Sequence, residues 1–241
     1  MICVPYRAGR GQEHRAAHLA VFVKHMPKFL DMVGVDYLIV VARQAEDGNK
    51  FNRGACLNAA FDWTHQNHPK YTQRAVCLHD VDLLPQPSKK ITEAYARSNV
   101  HLARCWRRYD SDTYLGGALT LDCEAFIRVN GFPNRFWGWG GEDDELAARL
   151  QTSGIEVERF TEGEYEDLEA MGLSEKLAYL RSDRNALKCM DKWEVRDEYN
   201  AQRAMGKSVE GLAQVQYTAS RPSLLLHPRI VEIEIAIPHN C

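Results

Sequence analysis

The hydrophobic positions of the first third of the chain form two alternating kinds of pattern. Continuous apolar runs at 2–5, 37–42 and 75–78 are typical of strands that are buried on both faces. Between these runs, apolar residues recur at helical spacing over 16–30 and 55–63. This order of strand, helix, strand, helix and strand predicts an α/β fold with a mainly parallel central sheet.

The middle of the chain continues with one more strand and a capped helix. The apolar run at 118–121 predicts a strand. Asp122 is placed to cap a following helix that runs to Val129, and Asn130-Gly131 would end it.

The last third of the chain is more polar. The highly charged stretch 162–206 is poor in β-branched residues, which predicts surface helices and loops. Strand character returns at 213–218 and at 230–237, where Glu232 and Glu234 alternate with apolar residues. This tail predicts an edge hairpin or paired terminal strands.

Composition narrows the classes of partner. The net charge of −3 over 241 residues provides no basic surface for nucleic acid. No apolar run is long enough for a transmembrane segment and no signal peptide is visible, so the sequence as given predicts a cytoplasmic protein. Seven cysteines without a close pair favour reduced core thiols. Without repeats or linkers, 1–241 is predicted to be a single domain.

The segment 136–145 combines two tryptophans, three glycines and four consecutive carboxylates. Glycines allow sharp turns and close approach to a ligand, and tryptophan offers a stacking surface. Adjacent carboxylates raise one another's proton affinity, so the segment predicts a pocket wall beside a base. The alternative is a glycine-rich turn before a helix with an acidic first turn. That alternative explains the acids but not the tryptophans and glycines.

Asp80 and Asp82 follow the third predicted strand directly, at the end of the sheet where ligands bind in α/β folds. Alternate side chains of an extended segment share a face, so both carboxylates would lie on one side. Such a pair can bind Mg²⁺ or Mn²⁺, and the remaining coordination positions of the ion stay available for substrate phosphates.

Five motifs follow one another over about residues 1–160. They are Pro5-Tyr6-Arg7, Phe51-Asn52-Arg53-Gly54, His79-Asp80-Val81-Asp82-Leu83-Leu84-Pro85, Tyr114-Leu115-Gly116-Gly117 and Gly131-Phe132-Pro133-Asn134-Arg135 continuing to Asp144. Through these motifs the chain resembles the β-1,4-galactosyltransferase family, and most closely its xylosylprotein galactosyltransferase branch. The resemblance implies a single-domain GT-A-type, Rossmann-like fold, with a nucleotide-binding half at about 1–110 and an acceptor and sugar half at about 111–241.

The same resemblance implies an inverting transfer of galactose, or a related hexose, from a UDP-sugar to a saccharide hydroxyl. Asp143 is expected to act as the base beside Glu142, and Asp82 to bind Mn²⁺ or Mg²⁺. Tyr114 falls where the family has a side chain that helps to select galactose over its N-acetyl relative. The implied donor and nucleotide residues are Pro5, Tyr6, Arg7, Phe51, Asn52, Arg53, Asp80, Tyr114 and Gly117, and the implied acceptor residues are Trp139, Gly140, Gly141 and Asp144.

Several of these residues also have a purely structural interpretation. Arg7 and Arg53 could be surface charges, Tyr114 a half-buried strand residue, and Trp137 a core residue. The structural interpretation is favoured for Arg53 and Trp137, and the functional one for Asp82, Trp139 and Asp143.

The sequence departs from the family pattern at the metal site. A histidine that follows the acidic helix completes the site in the family, but no histidine occurs between His101 and His227. The corresponding region offers the oxygen and sulfur side chains Glu164, Glu166, Asp167, Glu169 and Met171. The third protein ligand is therefore open, and these acids could also only solvate a surface helix.

This departure motivates an alternative function, a non-catalytic carbohydrate-binding or scaffold homologue that has lost the complete metal site. A hydrolase with paired carboxylates is a weaker alternative. The donor could also be UDP-N-acetylgalactosamine or UDP-glucose. If the chain is a trimmed catalytic domain, the family resemblance places it in the Golgi lumen.

Overall fold

The computed structural model describes residues 1–8, 14–106, 114–172, 174–175, 178, 191–207 and 209–238. Its strands are β1 Ile2–Tyr6, β2 Ile39–Gln44, β3 Ala75–His79, β4 Leu83–Pro85, β5 Val100–His101, β6 Ala118–Asp122, β7 Glu158–Arg159, β8 Tyr165–Asp167, β9 Thr218–Ala219, β10 Ser223–Leu224 and β11 Ile230–Ala236. Its α-helices are α1 His14–Val33, α2 Arg53–Asn67, α3 Lys89–Tyr95, α4 Cys123–Arg128, α5 Glu142–Thr152 and α6 Asp191–Ala204.

The described strands form a nine-stranded sheet with the order β10-β11-β2-β1-β3-β6-β5-β7, and β9 also pairs with β11. The four central strands β11, β2, β1 and β3 run parallel, whereas β6 runs antiparallel to β3. The predicted α/β fold with a mainly parallel central sheet is confirmed. The carboxyl ends of β1, β2 and β3 therefore meet at one edge of the sheet.

Helices cover both faces of the sheet, which explains the continuous apolar strands. In β1, Cys3 belongs to the core on the α2 side, whereas Ile2 and Val4 belong to the core on the α1 side. Four of the five described cysteines are buried, and all five are free thiols, as the composition predicts. Cys189 and Cys241 lie outside the described residues.

The middle helix begins and ends as predicted. The Asp122 side chain accepts a hydrogen bond of 2.8 Å from the backbone N–H of Glu124 at the start of α4. Asn130 and Gly131 both have positive φ, which ends the helix.

The structure corrects three predictions from sequence. The stretch 162–206 contains the strand β8, which pairs with β4 to form a second, two-stranded sheet. The stretch 213–218 is mostly a 3₁₀ turn (Leu212–Gln214) and a loop, and only Thr218 is in a strand. Residues 80–82 form a turn between β3 and β4 rather than an extended segment, so the two carboxylates do not share a strand face.

The tail strand β11 agrees with its alternating pattern. It pairs with β2, and Arg43 of β2 forms ion pairs with both Glu232 and Glu234. The short strands β9 and β10 pair with β11 in antiparallel orientation, as a terminal hairpin would. No helix among the described residues has the length and apolar character needed to cross a bilayer.

Candidate active site

The candidate site lies beyond the carboxyl ends of the central parallel strands. Asp80 follows β3, and Arg53 opens the helix after β2. The turn that delivers Arg53 is fixed by the Gln44 side chain, which accepts a hydrogen bond of 2.8 Å from the backbone N–H of Asn52. Asn52 caps α2 through the backbone N–H of Ala55 at 2.9 Å. The guanidinium therefore starts from a rigid backbone.

Arg53 joins the two acidic segments of the site. Its Nε donates to Asp80 Oδ1 at 2.8 Å, and its Nη1 donates to Asp143 Oδ1 at 2.9 Å. Glu142 Oε1 lies 3.6 Å from the same Nη1. Burial opposes the charge of Arg53, but the three carboxylates outweigh it and raise the pKa of the guanidinium. The side chain is 12% exposed, so the interpretation of Arg53 as a surface charge is wrong.

Asp143 combines a buried position with access to the site. Its side chain is 17% exposed. Burial raises the pKa of its carboxyl above the usual range, Arg53 lowers it in part, and Glu142 and Asp80 raise it further. A carboxylate whose pKa lies closer to neutrality is a better general base for accepting a proton from a hydroxyl group.

Gly116 leaves space for two functional groups to approach each other. A Cβ atom at Gly116 would lie 2.6 Å from Asp143 Oδ2 and 2.6 Å from the Tyr114 hydroxyl. Both distances are shorter than any normal carbon–oxygen contact, so a side chain at this position would displace one of the two groups. The phenol of Tyr114 therefore lies beside the carboxylate of Asp143.

The glycine-rich loop presents Trp139 at the surface. Gly138, Gly140 and Gly141 have φ values of 91°, 93° and 94°, a conformation that other residues rarely adopt. Trp139 between them is 37% exposed. A Cβ atom at Gly141 would lie 2.8 Å from the Phe136 ring. The glycines thus allow a tight loop that places a partly exposed indole next to the start of α5.

Two buried asparagines of the α2 segment hold the chain before this loop. The Asn58 side chain donates to Phe132 O at 2.8 Å and accepts from Phe132 N at 2.9 Å. The Asn52 side chain donates to Asn134 O at 2.6 Å. Trp137 is buried in the same core, as its structural interpretation predicts.

The turn at 80–82, which carries Asp80 and Asp82, contacts the segment that follows β8. The backbone N–H of Leu168 donates to Asp82 O at 2.8 Å, which brings Glu169 close to the turn. Burial raises the pKa of the Asp82 carboxyl, and the charges of Asp80 and Glu169 raise it further, while Arg15 opposes them. Arg15 Nη2 lies 3.9 Å from Glu169 Oε1. Negative charge is therefore concentrated around Asp82.

This arrangement fits a hard divalent cation. Asp82 and Glu169 supply carboxylate oxygens, which Mg²⁺ and Mn²⁺ prefer. Among the described residues, no group of three His, Cys, Asp or Glu side chains forms a closed metal cage. Two carboxylates with open positions are typical of a cation that also binds substrate phosphates. Of the acids offered by the sequence, Glu169 is the one that the structure brings to Asp82.

The remaining predicted residues lie around this centre. Pro5 and Tyr6 are buried in the last positions of β1. Arg7 Nη1 donates to Asn49 O at 2.5 Å, which ties the end of β1 to the loop after β2. Gly117 O accepts from Asp80 N at 2.7 Å, and the Phe51 carbonyl accepts from the loop residue Gly138 at 2.7 Å.

Asp144 has a different environment from its neighbours. Its Oδ2 lies 3.6 Å from Arg196 of α6, and it is not one of the carboxylates that pair with Arg53. Sequence patterns gave no signal for Arg15 and offered Glu169 only as one of several acids, because each comes into the site through pairing or packing between distant segments.

Two family models match the chain. The model described as the N-terminal region of glycosyl transferase group 7 matches residues 1–94. The model described as the N-terminal domain of galactosyltransferase matches residues 96–171. Together they account for well over half of the chain. The chain belongs to the β-1,4-galactosyltransferase family.

Relatives and solved structures agree with this membership. The family member β-1,4-galactosyltransferase 3 of Homo sapiens is 34% identical over 162 residues, which are 66% of this chain and 39% of that relative. β-1,4-Galactosyltransferase 7 of Drosophila melanogaster is 35% identical over 162 residues, 66% of this chain and 46% of the relative. The chain therefore spans less than half the length of these curated relatives.

Two crystal structures of the Drosophila β-1,4-galactosyltransferase 7 superpose on the chain. One is a mutant in complex with manganese, UDP-Gal and xylobiose, with a TM-score of 0.73. The other is the catalytic domain in complex with xylobiose, with a TM-score of 0.74. Each is 26% identical and covers 99% of this chain and 94% of the solved chain. The fold is that of the GT-A galactosyltransferases.

Proposed function

We propose that this chain is an inverting glycosyltransferase that moves galactose from UDP-galactose to a hydroxyl group of a saccharide. The observation that carries the proposal is the bridge made by Arg53. One guanidinium holds Asp80, next to the predicted cation and diphosphate site, and Asp143, next to the exposed Trp139. The sugar donor and the saccharide acceptor can therefore meet beside the buried Arg53 and its carboxylate partners.

In the proposed reaction, the oxygen of the acceptor hydroxyl attacks the anomeric carbon of the donor sugar. The bond from that carbon to the β-phosphate oxygen breaks, UDP leaves, and the anomeric configuration inverts. Asp143 Oδ2 takes the hydroxyl proton, while Asp143 Oδ1 stays bonded to Arg53. Arg53 orients the base, and its charge keeps part of the Asp143 population ionised near neutrality.

Asp82 and Glu169 are the residues that would hold Mn²⁺ or Mg²⁺. When bound, the cation would neutralise the charge that develops on the leaving diphosphate. Trp139 would stack on a sugar ring of the acceptor, and the glycines beside it would let the loop lie close to the sugar. The manganese, UDP-Gal and xylobiose in the Drosophila complex support this donor, cofactor and acceptor class for the present chain.

Transfer assays with xylobiose and Mn²⁺ test this function. Mass spectrometry of the products should detect one added hexose with UDP-galactose. UDP-glucose and UDP-N-acetylgalactosamine are the comparison donors. We expect slower transfer from UDP-N-acetylgalactosamine, because Tyr114 limits the space beside Asp143 for its bulkier acetamido group. Absence of transfer from all three donors, over a panel of β-xylosides and other saccharides, would contradict the proposal. A cytoplasmic location stays a prediction, which cell fractionation tests.

Thermal unfolding tests the cation site through the stability of the protein. UDP with Mn²⁺, at about 100 times the dissociation constant, should add about 2.7 kcal/mol to the free energy of unfolding. Asp82→Asn and Glu169→Gln should each reduce this gain. Glu166→Gln is the matched control, because Glu166 lies on β8, three residues before Glu169, but is exposed and contacts the half-buried Gln86. An equal gain from UDP in all variants, with or without Mn²⁺, would remove Asp82 and Glu169 from the site.

Asp82→Asn has a second expected effect in the absence of metal. The folded-state pKa of Asp82 is raised. Near pH 3 and below, the carboxyl is mostly protonated in both folded and unfolded chains and has little effect on stability. As the pH rises towards neutrality, the unfolded chain loses this proton before the folded chain does, so stability falls. Metal-free Asp82→Asn should therefore unfold at a higher temperature than the parent protein at pH 7, with the difference vanishing near pH 3.

A further inference from the structure

The turn that carries Tyr114 is fixed by its backbone carbonyls. Arg159 Nη1 donates to Tyr114 O at 2.6 Å. The imidazole of His101 lies 2.9 Å from Gly116 O through Nε2. The backbone N–H of Asp80 donates to Gly117 O at 2.7 Å. Three of the four carbonyls in this turn therefore have a defined donor, and two of those donors are side chains for which the proposed reaction has no chemical use.

The side chains of Arg159 and His101 are hydrogen-bonded to each other. Arg159 Nη1 lies 2.9 Å from His101 Nδ1. A guanidinium offers only donors, so Nδ1 must accept and the imidazole proton must be on Nε2. That proton is the one donated to Gly116. Burial, together with Arg159 and Arg104, lowers the pKa of His101 to about 4, despite the favourable bond to Gly116, which keeps the ring neutral in this tautomer.

The sheet explains why these residues meet. In the parallel pair of β5 and β7, His101 is the direct partner of Arg159. His101 is fully buried, and its ring packs against the Tyr114 ring edge to face at a centroid distance of 5.7 Å. The pair therefore holds Tyr114 both by its backbone and by its ring.

The position of Tyr114 matters because its hydroxyl lies beside the carboxylate of Asp143, with only the space over Gly116 between them. A phenol beside the base occupies volume next to the reacting sugar. A small shift of the turn would change which sugar substituents fit there, and a misplacement of about 1 Å in an active site can cost about 10²-fold in rate.

We propose that Arg159 and His101 are positioning residues that set the selectivity for the donor sugar by holding Tyr114 against Asp143. This inference rests on the proposed transferase function. Removal of either side chain should relax the turn and admit a bulkier substituent on the donor sugar. Loss of the pair should therefore change the choice between donors and leave nucleotide binding intact.

The test is the ratio of kcat/KM for UDP-galactose to kcat/KM for UDP-N-acetylgalactosamine, with xylobiose as acceptor. Arg159→Met and His101→Leu should each lower this ratio by about tenfold. UDP affinity, measured by calorimetry, should change by less than about twofold and shows that the variants are folded. His101→Gln, whose amide can both accept from Arg159 and donate to Gly116, should restore most of the ratio.

Three further variants isolate the effect. Arg97→Met removes an exposed ion pair with Glu158, the neighbour of Arg159 in β7, and should leave the ratio unchanged. In a Tyr114→Phe background, Arg159→Met should still lower the ratio, because the ring and not only the hydroxyl is displaced. In a Tyr114→Ala background it should have no further effect. Equal losses of rate with both donors, at an unchanged ratio, would overturn the inference and leave the transferase function standing. If the parent protein transfers none of the three donor sugars to any acceptor of the panel, both the inference and the transferase function are overturned.

Discussion

Asp143→Asn is expected to lower the rate of galactose transfer by about 10²–10⁴-fold, the usual contribution of a positioned general base. The amide is nearly the same size as the carboxyl but cannot take the acceptor proton. The amide oxygen can still accept a hydrogen bond from Arg53, so the arrangement of Arg53 with Asp80 and Glu142 should persist. UDP affinity in the presence of Mn²⁺ should therefore stay close to that of the parent protein. Initial rates and calorimetric UDP binding measure the two effects.

Asp144→Asn is the matched control for this variant. Asp144 is the adjacent residue in the sequence, yet it pairs with Arg196 of α6 rather than with Arg53. Asp144 is also an implied acceptor residue, so its replacement should raise the KM for the acceptor and lower kcat much less than replacement of Asp143 does. Comparable losses of kcat in the two variants, or full activity of Asp143→Asn, would reject Asp143 as the base.

Loss of Arg53 should have the largest effect on stability. Asp80, Glu142 and Asp143 surround its guanidinium, and its removal leaves these carboxylates close together without their partner. Breaking a buried ion pair from one side typically costs about 3–5 kcal/mol. Arg53→Met should lower the free energy of unfolding by about this amount at pH 7. Chemical denaturation measures the change.

The same variant should also shift the pH dependence of any residual activity. Arg53 lowers the pKa of Asp143, so its removal raises that pKa further. The acid limb of the kcat profile should therefore move to higher pH. Arg97→Met, which removes an exposed ion pair with Glu158, should cost about 0–1 kcal/mol and leave the profile in place. A small loss of stability and an unshifted acid limb in Arg53→Met would contradict the role assigned to Arg53.

The parts of the fold that sequence could predict depend on local patterns. The continuous apolar runs of β1, β2 and β3 and the helical periodicity between them fix the order of the first five elements. The cap at Asp122 and the acidic start of α5 are also local signals. Each requires only neighbouring residues, which is why the structure reproduces them.

The parts that sequence could not predict depend on pairing between distant segments. The strand β8 lacks an apolar pattern, because its backbone pairs with β4 and only Tyr165 of its three residues packs against the core. That pairing is what brings Glu169 to Asp82. A region predicted as surface helices thus supplies a candidate cation ligand, and the turn at 80–82 replaces the expected extended segment.

Arg53 shows the same limit within the site. An arginine at the start of a helix has an ordinary structural interpretation. Only the packing of the α5 start and of the turn after β3 against the start of α2 brings three carboxylates around it. The non-catalytic alternative was motivated by the missing family histidine. Glu169 beside Asp82 would supply an oxygen ligand in its place, and no observation on the described residues favours the non-catalytic alternative.

The stereochemistry of transfer is the most direct test of the account. UDP-galactose carries its sugar in the α configuration, and a single displacement with Asp143 as base must produce a β-galactoside. Proton NMR of the xylobiose product, recorded as it forms with Mn²⁺ present, reports the configuration through the coupling of the anomeric proton. We predict only the β-linked product. An α-linked product, or release of free galactose without transfer, would contradict the proposed mechanism.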